Sequence, residues 1–354
     1  MHEHTNMAAT SDTSAEDSSQ KADSEKTRRW KLVALAGVVS ITLAVATLGV
    51  YWSIQPDTFD VQSVAVERVD GDASRLVSGA VAVSTVGRVA RTLLDKPGGY
   101  VYNDMLVPGA YLDNMPSWEY GVIKEVRDSL AALRNDFSRS QTQSIENLDL
   151  RKAHEFLNYN VSSWILPSTE FEFQEGIEAL DRYFDALVSG DDKSARFFPR
   201  ADNLAAYLMV VEKRLGSYSH RLGASVGDEE LTAALITDAQ GQSPAIDTAS
   251  TRAMTPWLEI DNVFYEARGY SWALLHMFKA IAIEFESVLR DKNAQVSVQQ
   301  VIRDLEESTK RMWSPMVLNG HGFGYVVNHS LVLASYISRA NAAVLDLRIL
   351  LQQG

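Results

Sequence analysis

Residues 261–292 read DNVFYEARGYSWALLHMFKAIAIEFESVLRDK, a run without proline in which apolar residues recur every three or four positions. Set at 100° per residue, Ala267, Tyr270, Leu274, Met277, Phe278, Ile281, Phe285 and Val288 fall on one side, and Arg268, Trp272, His276, Lys279, Glu286 and Arg290 on the other. The pattern predicts one long core helix, Asp261–Lys292, with a polar stripe.

The same period recurs in both directions. Residues 72–94 carry a broad apolar stripe stopped by Lys96-Pro97-Gly98-Gly99, and Ser117–Phe137 places Val122, Val126, Leu130, Leu133 and Phe137 on one face. Further helices are expected over 148–159, from the capping-box form Thr169-Glu170-Phe171-Glu172 to Ser189, from about Asp202 through Leu215, and over 228–236. Beyond the long helix, Ser297-Val298-Gln299-Gln300 opens another to about Met312, and a last one runs from Val326 to about Leu351. There is no internal repeat and no series of alternating strands. The fold class read from this is all-α, with eight or nine helices after residue 72.

Near the N-terminus, Leu32–Trp52 (LVALAGVVSITLAVATLGVYW) holds no charged residue and is long enough to cross a bilayer once as a helix. Lys26, Arg28, Arg29 and Lys31 precede it, and Asp57 and Asp60 follow. The excess of cations on one flank predicts a cytoplasmic N-terminus and a remainder on the far side of the membrane. Ala44-Val45-Ala46 has the form of a signal-peptide cleavage site, so release of the exported part is the competing expectation; the apolar run continues to Trp52, the length of an anchor. Residues 1–30, rich in Ser, Thr, Ala, Asp and Glu, read as a disordered cytoplasmic tail, and 53–71 as a connector with room for a short strand. The expected domains are therefore 1–30 tail, 32–52 transmembrane helix, 53–71 connector and 72–354 exported all-α domain.

Composition narrows the chemistry. The 354 residues carry a formal net charge of -13, with 28 Lys and Arg against 40 Asp and Glu after residue 52. Such a surface argues against nucleic acid as a partner. There is no cysteine, which excludes disulfides, thiolate catalysis and cysteine metal sites.

Local motifs are weak. Gly320-His321-Gly322-Phe323-Gly324 precedes a helix, where free N–H groups can hold an anion, but no strand precedes it, and a glycine turn explains it more simply. His276, His321 and His329 form no metal-binding spacing, and no metal or cofactor is expected. Asn328 and His329, at the start of the last helix, are candidates for ligand or partner binding with His321, against the simpler state of a packed, hydrogen-bonded histidine. Glu175, Glu178, Asp181 and Asp185 share a helix face and are read as solvated. The loop 98–117, GGYVYNDMLVPGAYLDNMPS, concentrates tyrosines, amides and acids, so Tyr102, Asn103 and Asp104 are candidates for recognising a peptide or sugar, or for packing over the core. For acid–base chemistry the candidate carboxylates are Asp104, Glu170 and Glu266, on the condition that at least two converge in a cleft. No Gly-x-Ser-x-Gly or serine triad stands out.

The segments 98–121 (GGYVYNDMLVPGAYLDNMPSWEYG), 158–176 (NYNVSSWILPSTEFEFQEG), 256–277 (PWLEIDNVFYEARGYSWALLHM) and 328–348 (NHSLVLASYISRANAAVLDLR) resemble the bacterial family known as domain of unknown function 2333. The resemblance implies a Gram-negative envelope protein with one N-terminal span, and carries over no activity, substrate, cofactor or catalytic residue. The leading expectation is a scaffold or adaptor whose periplasmic domain binds another envelope protein. The alternatives are a carboxylate-based hydrolase or lyase acting on cell-wall glycan, and a ligand sensor signalling through the span.

Overall fold

A computed structural model describes residues 9–139, 146–225, 255–312, 314, 316–320 and 325–353. The expected helix at 228–236 and His321 lie outside the described residues. The chain divides into two compact units, 1–51 and 52–354.

The first unit holds the helix α1, which runs Ala9–Trp52 and so ends on the first residue of the second unit. Within it Arg28–Trp52, whose most apolar 18-residue window has a mean hydropathy of 2.3, is long and apolar enough to cross a membrane. At 1.5 Å per residue this stretch measures about 37 Å, more than the roughly 30 Å of a hydrocarbon core. Its two threonine hydroxyls are satisfied within the helix, Thr42 donating to the Val38 carbonyl and Thr47 to that of Leu43. Helix also covers residues 9–30, where composition alone suggests a tail without structure. Once a long helix is nucleated, each added residue gains a hydrogen bond at little further cost.

The second unit is all-helical among the described residues. Among the described residues ten α-helices follow α1: α2 Val61–Glu67, α3 Ala80–Asp95, α4 Asn114–Ala132, α5 Leu148–Leu157, α6 Thr169–Ser189, α7 Ala201–Ala224, α8 Ile260–Glu284, α9 Glu286–Asp291, α10 Gln295–Thr309 and α11 His329–Gln352. Helix α8 is the hub, packing against α3, α4, α7, α10 and α11. It crosses α4 closely because each helix supplies a glycine at the crossing. A Cβ on Gly121 would sit 2.7 Å from the Tyr270 nitrogen, and one on Gly269 would sit 2.8 Å from the Trp118 carbonyl carbon.

Several boundaries differ from the sequence expectation. The connector forms the short helix α2 rather than a strand: Asp60 caps it by accepting from the Ser63 N–H at 2.6 Å, and Val61 and Ala65 are buried one turn apart. Helix α3 starts at Ala80, not Asp72, because Gly79 adopts φ +92° and the Glu284 carboxylate accepts from the N–H groups of Gly79, Val81 and Ala82. With Glu284 turned to that task, the long helix breaks at Phe285, whose buried ring packs against Phe137 and Phe197 at 5.3 and 5.7 Å. Helix α6 is capped by Ser168 instead of Thr169, whose hydroxyl donates to the Asn160 and Ser163 carbonyls. Ser297 lies inside α10, which begins at Gln295.

The polar stripe of α8 is largely internal. Arg268, Trp272 and His276 are all buried. Arg268 donates to the carbonyls of Ser308, Thr309 and Lys310 at the end of α10 and to Gln55 Oε1. His276 Nε2 accepts from the Phe59 N–H at 3.1 Å, and the two rings stack at 3.9 Å. The stripe thus receives residues 55–59, fastening the connector along the core helix.

Candidate functional site: the tyrosine loop and its buried charges

The loop between α3 and α4 is shaped from its first residue. Gly98 and Gly99 have φ of +87° and +66°, conformations that side-chain-bearing residues resist. They turn the chain so that Lys96 meets Glu119 of α4, Nζ to Oε1 at 2.5 Å, with both side chains fully buried. Lys96 also donates to the Gly99 carbonyl, while Glu119 accepts from the N–H groups of Val101 and Tyr102. Burial pushes the Glu119 carboxyl up to about 7 against the lowering charge and hydrogen bonds of Lys96.

Beyond this pair, Tyr100 donates to the Val161 carbonyl, and Asn103 Nδ2 donates to the Ser163 carbonyl at 2.7 Å and to Glu170 Oε2 at 3.0 Å. Asn103 Oδ1 is buried and accepts no hydrogen bond. Burial and the nearby Glu170 charge raise the Asp104 carboxyl, against the lowering influence of Lys96. The structure therefore groups Asn103, Asp104 and Glu170 where two loops meet.

Glu266 belongs to a neighbouring cluster. It accepts from Lys124 at 2.5 Å, Arg221 at 2.7 Å and Tyr218 at 3.1 Å. Burial works to raise its carboxyl, and the hydrogen bonds and charges of Arg221 and Lys124 outweigh that effect, so it stays below the ordinary glutamate range. An anion held between two cations is a poor proton carrier at neutral pH. Tyr102 bridges the two clusters: its ring stacks on Tyr120 at 5.6 Å, over which Lys124 Nζ sits at 4.2 Å.

The C-terminal candidates lie in a separate structural cluster. Asn328 caps α11 by accepting from the Leu331 N–H and donates to the Gly320 carbonyl. His329 Nδ1 accepts from the Leu318 N–H at 2.9 Å, and its backbone N–H donates to the Leu318 carbonyl. These bonds fold residues 318–320 onto the helix. On α6, Asp181 is tied to Arg68 and Arg91, each at 2.7 Å, while Glu178 and Asp185 are exposed. Among the described residues no group of three or more His, Asp or Glu is arranged to hold a metal.

Sequence reasoning passed over the buried acids of α4. Glu119 lies three residues before Val122, on the apolar stripe itself, and that misplaced charge was the available signal. Glu125, also buried, accepts from Tyr207 at 2.5 Å and Ser129 at 2.8 Å. Burial, then the Asp128 charge, push it up to about 8.

Comparison with known proteins adds the family. The model of DUF2333, described as an uncharacterized protein conserved in bacteria, matches residues 23–354. The chain belongs to DUF2333. No curated protein and no solved structure matches it. The DUF2333 match takes in the end of α1 and the whole helical unit, so the tyrosine loop, the Glu266 cluster and the apolar helix are all inside it.

Proposed function

We propose that this DUF2333 protein is a single-pass inner-membrane protein whose periplasmic helical domain serves as a scaffold or adaptor for another envelope protein. The observation that carries the reading is how the buried ionisable groups are used. Lys96 and Glu119 fix a loop, Glu266 joins three helices, Asp181 joins α6 to α2 and α3, and Arg268 and His276 hold the connector. Groups committed to internal contacts build a rigid body and leave little for turnover. Supporting the membrane placement are the length of Arg28–Trp52 and the cations before it.

The test is crosslinking of the full-length chain in cells, with label sites on the loop 98–117 and elsewhere on the domain. A specific envelope protein recovered repeatedly supports the adaptor reading, and recovery of nothing specific contradicts it.

A glycan-directed hydrolase is the second reading, favoured by Asp104 and Glu170 flanking Asn103 with its unpartnered oxygen. It requires that the full-length protein cleave cell-wall glycan and that Asp104→Asn and Glu170→Gln each lower the rate by at least a hundredfold. Equal activity in the variants sinks it.

A further inference from the structure

Two loops of the helical unit end in apolar triplets. Met105-Leu106-Val107 and Trp164-Ile165-Leu166 all stand between 45% and 90% exposed. Single exposed apolar residues are ordinary on a protein surface, whereas two contiguous triplets on loops joined to each other mark a contact face.

The two loops are bonded to each other at their bases. Asn103, two residues before Met105, donates to the carbonyl of Ser163, one residue before Trp164, and Tyr100 donates to Val161. The second loop is held in shape as well: Ser163 donates to the Pro167 carbonyl, and Leu166, 90% exposed, has φ +55°. A leucine in the left-handed region costs on the order of 1 kcal/mol, so the surrounding contacts impose this shape.

What covers this face follows from where the first loop begins. Gly98 is seated against Trp52, the last residue of the apolar helix; a Cβ there would lie 2.7 Å from the indole. Indole side chains at the end of a span mark the boundary of the hydrocarbon. Met105 is seven residues beyond Gly98, within about 25 Å even fully extended. Neither triplet contains a cation, and Asp104 and Glu170 lie beside them, so attraction to anionic headgroups contributes nothing.

We propose that Met105–Val107 and Trp164–Leu166 dip into the surface of the same bilayer that holds the apolar helix, which makes this end of the helical unit a lipid-contacting face. The inference rests on the membrane-anchor reading above. It gives the tyrosine loop a second role, contact with lipid.

The chain has no cysteine, so single-cysteine variants Leu106→Cys, Leu166→Cys and, as control, the exposed Val296→Cys can each carry one environment-sensitive fluorophore. The full-length variants are reconstituted into phosphatidylcholine vesicles, floated after an alkaline wash, and titrated with bromine-bearing lipid. Labels at 106 and 166 should emit blue-shifted and lose at least half their intensity to the quenching lipid, while the label at 296 should do neither. Floating protein whose labels at 106 and 166 match that at 296 overturns this inference and leaves the anchor standing. Failure to float overturns both. A blue shift that ignores the quenching lipid and grows with protein density means a second copy covers the face, and also overturns it.

Discussion

The Phe59 backbone N–H donates to Nε2 of His276 across 217 residues of sequence, and the imidazole meanwhile donates from Nδ1 to the Trp272 carbonyl at 2.7 Å. Only the neutral ring with its proton on Nδ1 satisfies both bonds. This histidine is therefore the fastener between the segment that leaves the apolar helix and the core of the domain.

Burial holds the His276 pKa down to about 4, below the roughly 6.5 of an unfolded chain. Between those values the unfolded chain binds more protons than the folded one. The stability His276 contributes is thus complete above about pH 6.5 and is lost as pH falls toward 4, on the order of 3 kcal/mol in all. Urea unfolding of the full chain in detergent should show a larger loss between pH 7 and 4.5 for the native protein than for His276→Gln. Identical slopes would remove the fastener from the account.

Glu125 has the opposite sign. Its folded pKa, about 8, lies above the ordinary 4.5, so its contribution is full below pH 4.5 and declines as pH rises through 8. Glutamine copies the neutral acid and keeps an oxygen to accept from Tyr207. Glu125→Gln should match the native protein near pH 5 and exceed it at pH 8.5 by on the order of 3 kcal/mol. A variant equally weakened at both values would show that the carboxyl is needed as a charge.

Lys96 and Glu119 form an ion pair with both side chains fully buried. Removing one strands the other, at about 3–5 kcal/mol. Lys96→Met and Glu119→Gln should each melt well below the native protein, and the double variant should recover most of the loss. Additive losses in that cycle would mean the two act independently.

At the α4–α8 crossing the obstruction to a methyl group is backbone, which cannot swing aside. Gly269→Ala and Gly121→Ala should each cost at least about 2 kcal/mol, more than the gain alanine brings to a helix interior. Gly37, which has nothing within 4 Å of its Cβ direction, is the matched control and should tolerate alanine. Equal melting temperatures across the three would contradict the close approach.

Most of the helices were legible because their apolar stripes face a core: Val122, Val126 and Leu130 are all buried as their spacing requires. What the spacing hides is partnership across the chain. Glu284 looks like a surface residue on a long helix until it caps α3, and that contact joins positions about 200 residues apart. Arg268 and His276 read only as a polar stripe because polarity alone does not say whether a polar partner waits opposite. For the candidate site, the loop 98–117 was visible from its tyrosines, but the grouping of Asn103 with Glu170, and the separation of Glu266 from both, depend on how α4, α6 and α8 pack.

The measurement that bears most directly on the central claim is the topology of the full chain. A reporter active only in the periplasm and one active only in the cytoplasm are fused in turn after Gly354, and the cells are fractionated and checked for cleavage near Ala46. Activity of the periplasmic reporter alone, in an uncleaved protein that stays with the membrane, is the result expected of a single span ending at Trp52. Activity of the cytoplasmic reporter, or a soluble cleaved product, would contradict it.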